Sequence, residues 1–141
     1  MRYAYPAHLA EAPDGVTVTF PDVAGAISEG ATKAEALRHG ADALVSMLAE
    51  LCHQGLALPA PSAARGRPVV HVTAMEAAKL ALNEAMRERS LSNVALAALL
   101  QSDEKAVRRL RDVLHSSRMQ EVERALNALG KRITVEVRDA A

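Results

Sequence analysis

The stretch Ser92–Asp112 constrains this chain most, because it reads as two short helices joined by a tight turn. Val94, Leu96, Ala97, Leu99 and Leu100 mark a short apolar helix, and Gln101 and Ser102 mark the turn. Val107, Leu110 and Leu114 then repeat at helical spacing, which predicts a second helix with these three side chains facing inward. Lys105, Arg108, Arg109 and Asp112 share its opposite side. A helix anchored on one side and basic on the other has the form needed to lie in a DNA major groove. A solvated face on an ordinary helical hairpin carries the same pattern, so the pattern leaves both readings open.

Composition narrows the alternatives. The 141 residues suit one ordinary domain or two small ones, and half of them are hydrophobic, so a real core can form. Tyr3, Tyr5 and Phe20 are the only aromatic residues, so that core must be built from Leu, Val, Ile and Ala. Their scarcity argues against an RNA reader that stacks bases on exposed rings. The net charge is zero, yet residues 1–73 hold five basic and seven acidic groups while residues 74–141 hold twelve and ten. This sign difference suits a C-terminal half that meets DNA and an N-terminal half that prefers another partner. Cys52 stands alone and is expected to be a small buried hydrophobe rather than half of a disulfide. With neither a signal-peptide pattern nor an apolar run of membrane-spanning length, a cytoplasmic protein without membrane contact is expected.

Along the chain, an α+β fold is predicted. Arg2–Ala12 alternates through Tyr3, Tyr5, Ala7 and Leu9, and Val16, Val18 and Phe20 alternate with Thr17 and Thr19. Pro13-Asp14-Gly15 between these strands signals a hairpin turn. A third strand is expected around Ala26–Glu29. Thr32-Lys33-Ala34-Glu35 has the form of a capping box and opens a helix striped with Leu37, Ala41, Leu44, Leu48 and Leu51, which Gly55 ends. Residues 59–68 form a loop and Val69–Val72 a short strand, giving β-β-β-α-β over residues 1–73. Residues 74–141 form a second, mostly helical domain. Its first helix begins at Thr73 or Ala74 with Met75, Ala78, Leu82 and Met86 inward, and its last buries Met119, Val122, Leu126 and Leu129. Ile133, Val135 and Val137 alternate with polar residues, so a terminal strand is expected, pairing with its own copy in a dimer.

The two halves together resemble the HicB antitoxins of type II toxin–antitoxin systems. The resemblance rests on Phe20-Pro21-Asp22-Val23, Gly25-Ala26-Ile27-Ser28-Glu29-Gly30-Ala31-Thr32 and Glu35-Ala36 in the first half. In the second it rests on Ala78–Leu82, Leu91–Val94, Lys105–Asp112, His115–Ser117 and Ala125–Arg132. Gln101 departs from the glycine that members often carry in the turn, and Ala31 replaces a common acidic residue. The resemblance implies an N-terminal domain of degenerate ribonuclease-H-like fold that binds a small RNA-cleaving HicA toxin, which has a double-stranded-RNA-binding-like fold. It also implies a C-terminal DNA-binding domain that represses the operon.

The residues themselves do not suggest an enzyme. A ribonuclease H site needs carboxylates converging on two metal ions roughly 3.5–4 Å apart. Glu11, Asp14, Asp22, Glu29 and Glu35 are the candidates, and no two sit mid-strand on a common face. His8, His39, His53, His71 and His115 are scattered without metal-ligand spacing, and no hydrolytic triad or phosphate loop is present. No catalytic residue, metal or cofactor is therefore expected. Ser92, Asn93, Lys105, Arg108, Arg109 and Arg111 are the expected DNA contacts. A homodimer or tetramer is expected to place two basic helices in successive major grooves, about 34–36 Å apart. The toxin-contacting residues are not legible. The competing reading is a stand-alone dimeric repressor whose N-terminal domain senses a small ligand.

Overall fold

The computed structural model describes residues 2–140. The order of elements is β1 (Ala4–Pro6), β2 (His8–Ala12), β3 (Gly15–Thr19), β4 (Ile27–Gly30), α1 (Lys33–His53) and β5 (Val69–His71). Four helices follow, α2 (Ala74–Glu88), α3 (Asn93–Leu100), α4 (Glu104–Arg111) and α5 (Met119–Ala128). This is the mixed α+β architecture that the pattern of strands and helices predicts.

The first predicted strand is two strands in the structure. β2, β3 and β4 form an antiparallel sheet in that order, and β1 pairs instead with β5, with Tyr5 opposite Val70. The division falls where Pro6 has no N–H to give and the Ala7 N–H donates to the Pro68 carbonyl at 2.8 Å. The predicted hairpin holds, with Ala12 opposite Gly15 across Pro13 and Asp14.

α1 covers the sheet through a row of small and apolar side chains one turn apart. Ala36, Gly40, Leu44, Leu48 and Cys52 are buried, while Leu37, Ala41 and Leu51 lie at the margin. The helix approaches closely at two points. A Cβ on Gly30 would stand 2.4 Å from the Ala36 nitrogen, and one on Gly40 would stand 2.9 Å from a methyl of Val18. At the start of α1 the Thr32 hydroxyl accepts from the Glu35 N–H at 3.2 Å. The full reciprocal capping box is instead at α2. There Thr73 accepts from the Glu76 N–H and Glu76 accepts from the Thr73 N–H, at 3.2 and 3.1 Å.

α2 serves two cores. Ala78, Leu82, Ala85 and Met86 pack with Leu96, Leu100, Val107, Leu110, Val122 and Leu126. Leu80, on the other side, joins the sheet core with Tyr5, Val18, Leu44 and Leu48. Val113, just beyond α4, enters that same sheet core. The division at residue 73 therefore separates β5 from a helix on which both hydrophobic clusters are built.

Two expectations fail at the C-terminal side. Leu114 does not face inward: it is 63% exposed, and Val113 is buried in its place. The helix ends at Arg111 and Asp112 is extended, with φ −70° and ψ 104°, so the helical spacing stops before Leu114. The terminal strand does not form either. Residues 131–140 have no regular structure, Ile133 packs half-buried on the helical core, and Val135 and Val137 are 78% and 90% exposed. Alternation supplies faces but not a ladder, and among the described residues no strand pairs with this segment. It therefore gives no support for strand-mediated pairing.

Candidate nucleic-acid interface

The helix pair α3–α4 is set by its ends. The Ser92 hydroxyl caps α3 by accepting from the Ala95 N–H at 3.1 Å, and the Asp103 carboxylate caps α4 by accepting from the Ala106 N–H at 2.8 Å. Between them Gln101 takes a left-handed conformation, φ 53° and ψ 46°. The Ser102 N–H reaches the Ala97 carbonyl at 2.9 Å and the Gln101 N–H the Ala98 carbonyl at 3.2 Å, the paired bonds of a Schellman motif. Gln101 thus follows the path that a glycine would follow at lower conformational cost.

Behind α4 lies a polar network that the sequence reasoning missed. Lys79, fully buried, sends its ammonium into the end of that helix. It donates to the carbonyls of Arg109 (2.9 Å), Asp112 (3.0 Å) and His115 (2.5 Å) and to the Ser117 hydroxyl (2.8 Å). Burial draws the ammonium below the usual lysine range, opposed by the Asp112 carboxylate. Its position at carbonyls of the last turn also suits the negative end of the helix dipole. Asn83, also buried, donates to the Lys79 and Arg111 carbonyls at 2.9 and 2.8 Å. A signal for both was present: Lys79 interrupts the apolar run Ala77–Leu82, and Asn83 follows it.

The structure divides the predicted contact residues. Lys105 and Arg109 are exposed on α4, opposite buried Val107 and Leu110. Arg108 is also exposed but pairs with Glu104 at 2.9 Å and lines a cleft against α1 with Ser46, Glu50 and His53. Arg111 is turned inward: its Nε donates to Asn83 Oδ1 at 2.9 Å and its Nη1 to Asn93 Oδ1 at 2.7 Å. Burial pulls its guanidinium below the ordinary arginine value. Arg111 and Asn93 thus tie α2, α3 and α4 together, and Ser92 serves as a cap.

The N-terminal carboxylates are dispersed. Asp22 accepts from both the N–H and the hydroxyl of Ser62 at 2.9 Å, anchoring the 59–68 loop, and Glu11 lies 3.8 Å from Lys33. Among the described residues no group of three or more His, Cys, Asp or Glu side chains could hold a metal ion. Cys52 is buried and its thiol is pushed up to about 11, first by desolvation, so it is a packing residue rather than a nucleophile. No helix among the described residues is long and apolar enough to cross a membrane.

Residues 4–81 match the family model described as a HicB-like antitoxin of bacterial toxin–antitoxin systems. The span covers the sheet, α1 and the first half of α2. Antitoxin HicB 2 of Photorhabdus laumondii subsp. laumondii is 35% identical over 129 residues, covering 92% of this chain and 92% of that protein. Antitoxin HicB of Pseudomonas fluorescens Pf0-1 is 31% identical over 142 residues, covering 99% and 97%. Antitoxin HicB of Escherichia coli K12 is 28% identical over 133 residues, covering 93% and 96%. The chain therefore belongs to the HicB-like antitoxin family and is an antitoxin of a bacterial toxin–antitoxin system.

Proposed function

We propose that this antitoxin neutralises a HicA-type RNA-cleaving toxin through residues 1–73 and, as a homodimer or tetramer, represses its own operon through residues 74–141. The observation that carries the DNA half is the two-sidedness of α4. Lys105 and Arg109 are exposed there, while Val107 and Leu110 hold the helix to the core. An exposed helix carrying unpaired cations can enter a major groove without first breaking ion pairs. Ser92 and Asn93, at the start of α3, supply phosphate-facing groups, and Arg108 reaches the flank of the groove. Arg111 acts from behind, by holding Asn83 and Asn93.

For the toxin half, β4 is an edge strand of the three-stranded sheet, with Ile27 59% exposed and the Glu29 carbonyl bonded to the His39 ring at 2.7 Å. Such an edge accepts an added strand by main-chain hydrogen bonding, and the acidic excess of residues 1–73 suits a basic RNA-binding partner. The protein acts by covering and binding, with no catalytic residue of its own.

Growth of cells expressing the small neighbouring reading frame, alone and with this chain, tests the toxin half. Toxicity relieved by co-expression, and restored when residues 1–73 are deleted, is the expected result; no relief removes the reading. For the DNA half, Arg109→Ala should weaken binding to the operon's upstream DNA about tenfold and flatten its salt dependence by about one phosphate contact per chain. Unchanged affinity and slope would take α4 out of the interface.

A further inference from the structure

The cleft between α4 and α5 shares Arg109 with the groove-facing side of α4 but adds residues that groove reading does not use. About 510 Å³ in volume, it is lined by Arg109, His115, Ser116, Arg118 and Arg124, with Glu121 as its one carboxylate. Neither Arg109 nor Arg118 forms an ion pair among the described residues. Arg124 is fixed on the wall by donating to the Leu100 carbonyl at 2.9 Å.

The backbone of the cleft is arranged to give hydrogen bonds rather than accept them. Lys79 draws the Arg109, Asp112 and His115 carbonyls and the Ser117 hydroxyl inward, to one buried ammonium. Among the described residues the amides of Ser116, Ser117 and Arg118 donate to no backbone carbonyl. α5 begins directly after them with Arg118 as its cap residue and no side-chain oxygen bonded to its first turn. Arginines, a serine, the segment carrying these unengaged amides and the positive end of a ten-residue helix therefore line one concavity, with the buried Lys79 ammonium bonded to its Ser117 hydroxyl.

We propose that this cleft holds one phosphate of the DNA backbone beside the groove that α4 enters, with Arg118 and the Ser116–Arg118 amides as its principal donors. The assignment rests on the DNA-binding reading above and adds to it the residues that fix the register of α4. Lys79 is then a positioning residue: it touches no DNA, but it turns the loop so that its donors face out.

The test uses the full-length chain and duplexes of the operon's upstream region, each with a single neutral methylphosphonate in place of one backbone phosphate. Arg118→Ala is the variant, because the Arg118 side chain is exposed and bonds nothing among the described residues, while its backbone carbonyl, which accepts from the Glu121 and Val122 N–H groups, is kept. It should lower affinity about tenfold and reduce the slope of log affinity on log salt by about 0.9 per chain, with an unchanged melting temperature. One methylphosphonate position per half-site should weaken the wild type about tenfold and weaken Arg118→Ala distinctly less, because only the backbone amides then lose a charged acceptor. If every position weakens both proteins alike, or Arg118→Ala binds as the wild type does, the cleft assignment is overturned while DNA binding stands. If the wild type fails to retain the unmodified duplex, the DNA reading and the cleft assignment fall together.

Discussion

The sheet-and-α1 half and the helical half are of similar size but are held in place by different forces. In the first, position is set by contact distance. α1 lies so close to the sheet that Gly30 and Gly40 have no room for a Cβ, and the core beneath is apolar, from Val18 to Leu48. In the second, an apolar core of Leu82, Leu96, Val107 and Val122 is supplemented by buried cations and amides that hold the end of α4. Apolar packing tolerates volume-conserving exchange and loses uniqueness slowly. A buried polar network does not, because each missing partner leaves a desolvated group unsatisfied. The half proposed to bind DNA thus carries the fixture with the narrower tolerance, which suits precise side-chain placement.

The comparison predicts a ranking. Lys79→Met should have the largest effect, because it keeps approximate volume but orphans three carbonyls and a hydroxyl. A loss of about 3 kcal/mol is expected from the cost of unsatisfied buried groups. Urea unfolding would measure it, and hydrogen exchange should show the faster opening concentrated in α4 and the 112–117 segment. A loss below about 1 kcal/mol, or loosening spread evenly, breaks the contrast between the halves. Gly30→Ala comes next. Its Cβ would meet a backbone nitrogen, not a yielding side chain, so a loss of about 2 kcal/mol is expected from overpacking, with exchange rising in α1 and β4. A neutral result would show that α1 can lift from the sheet freely. Gln101→Gly is the smallest and has the opposite sign. It relieves a left-handed non-glycine residue, worth about 1 kcal/mol, against some added freedom in the unfolded chain. Thermal melting should rise slightly, with operator binding unchanged. A fall in stability would mean that the Gln101 side chain supports the turn.

Much of this was legible in the residues because it depends on local rules. The hairpin at Pro13-Asp14, the buried face Val16, Val18 and Phe20, the α1 start at Thr32 and its stop at Gly55 all follow from turn chemistry, period and capping. The end of α4 was read too far because Val113 and Leu114 are interchangeable by hydropathy, and only the turn at Asp112 decides which is buried. Alternation at Ile133–Val137 suggested a strand, but a strand is a relation between two segments and one sequence segment cannot state it. The site was split in the same way. Lys105 and Arg109 could be placed on the exposed side of α4 by counting, whereas Arg111 lies one position beyond the basic face and its inward turn depends on Asn83 and Asn93 from other helices.

The sequence by itself therefore determined most of the elements, the family and the charge on the outer side of α4, because these need only neighbours along the chain. The tertiary structure alone decided that α2 would serve both cores, that Lys79 would grip the end of α4, and that Arg109 and Arg118 would line one cleft. Those are meetings between residues distant along the chain, 38 positions apart in the case of Lys79 and Ser117. Their cost of burial and their reward in hydrogen bonds exist only once the helices have packed.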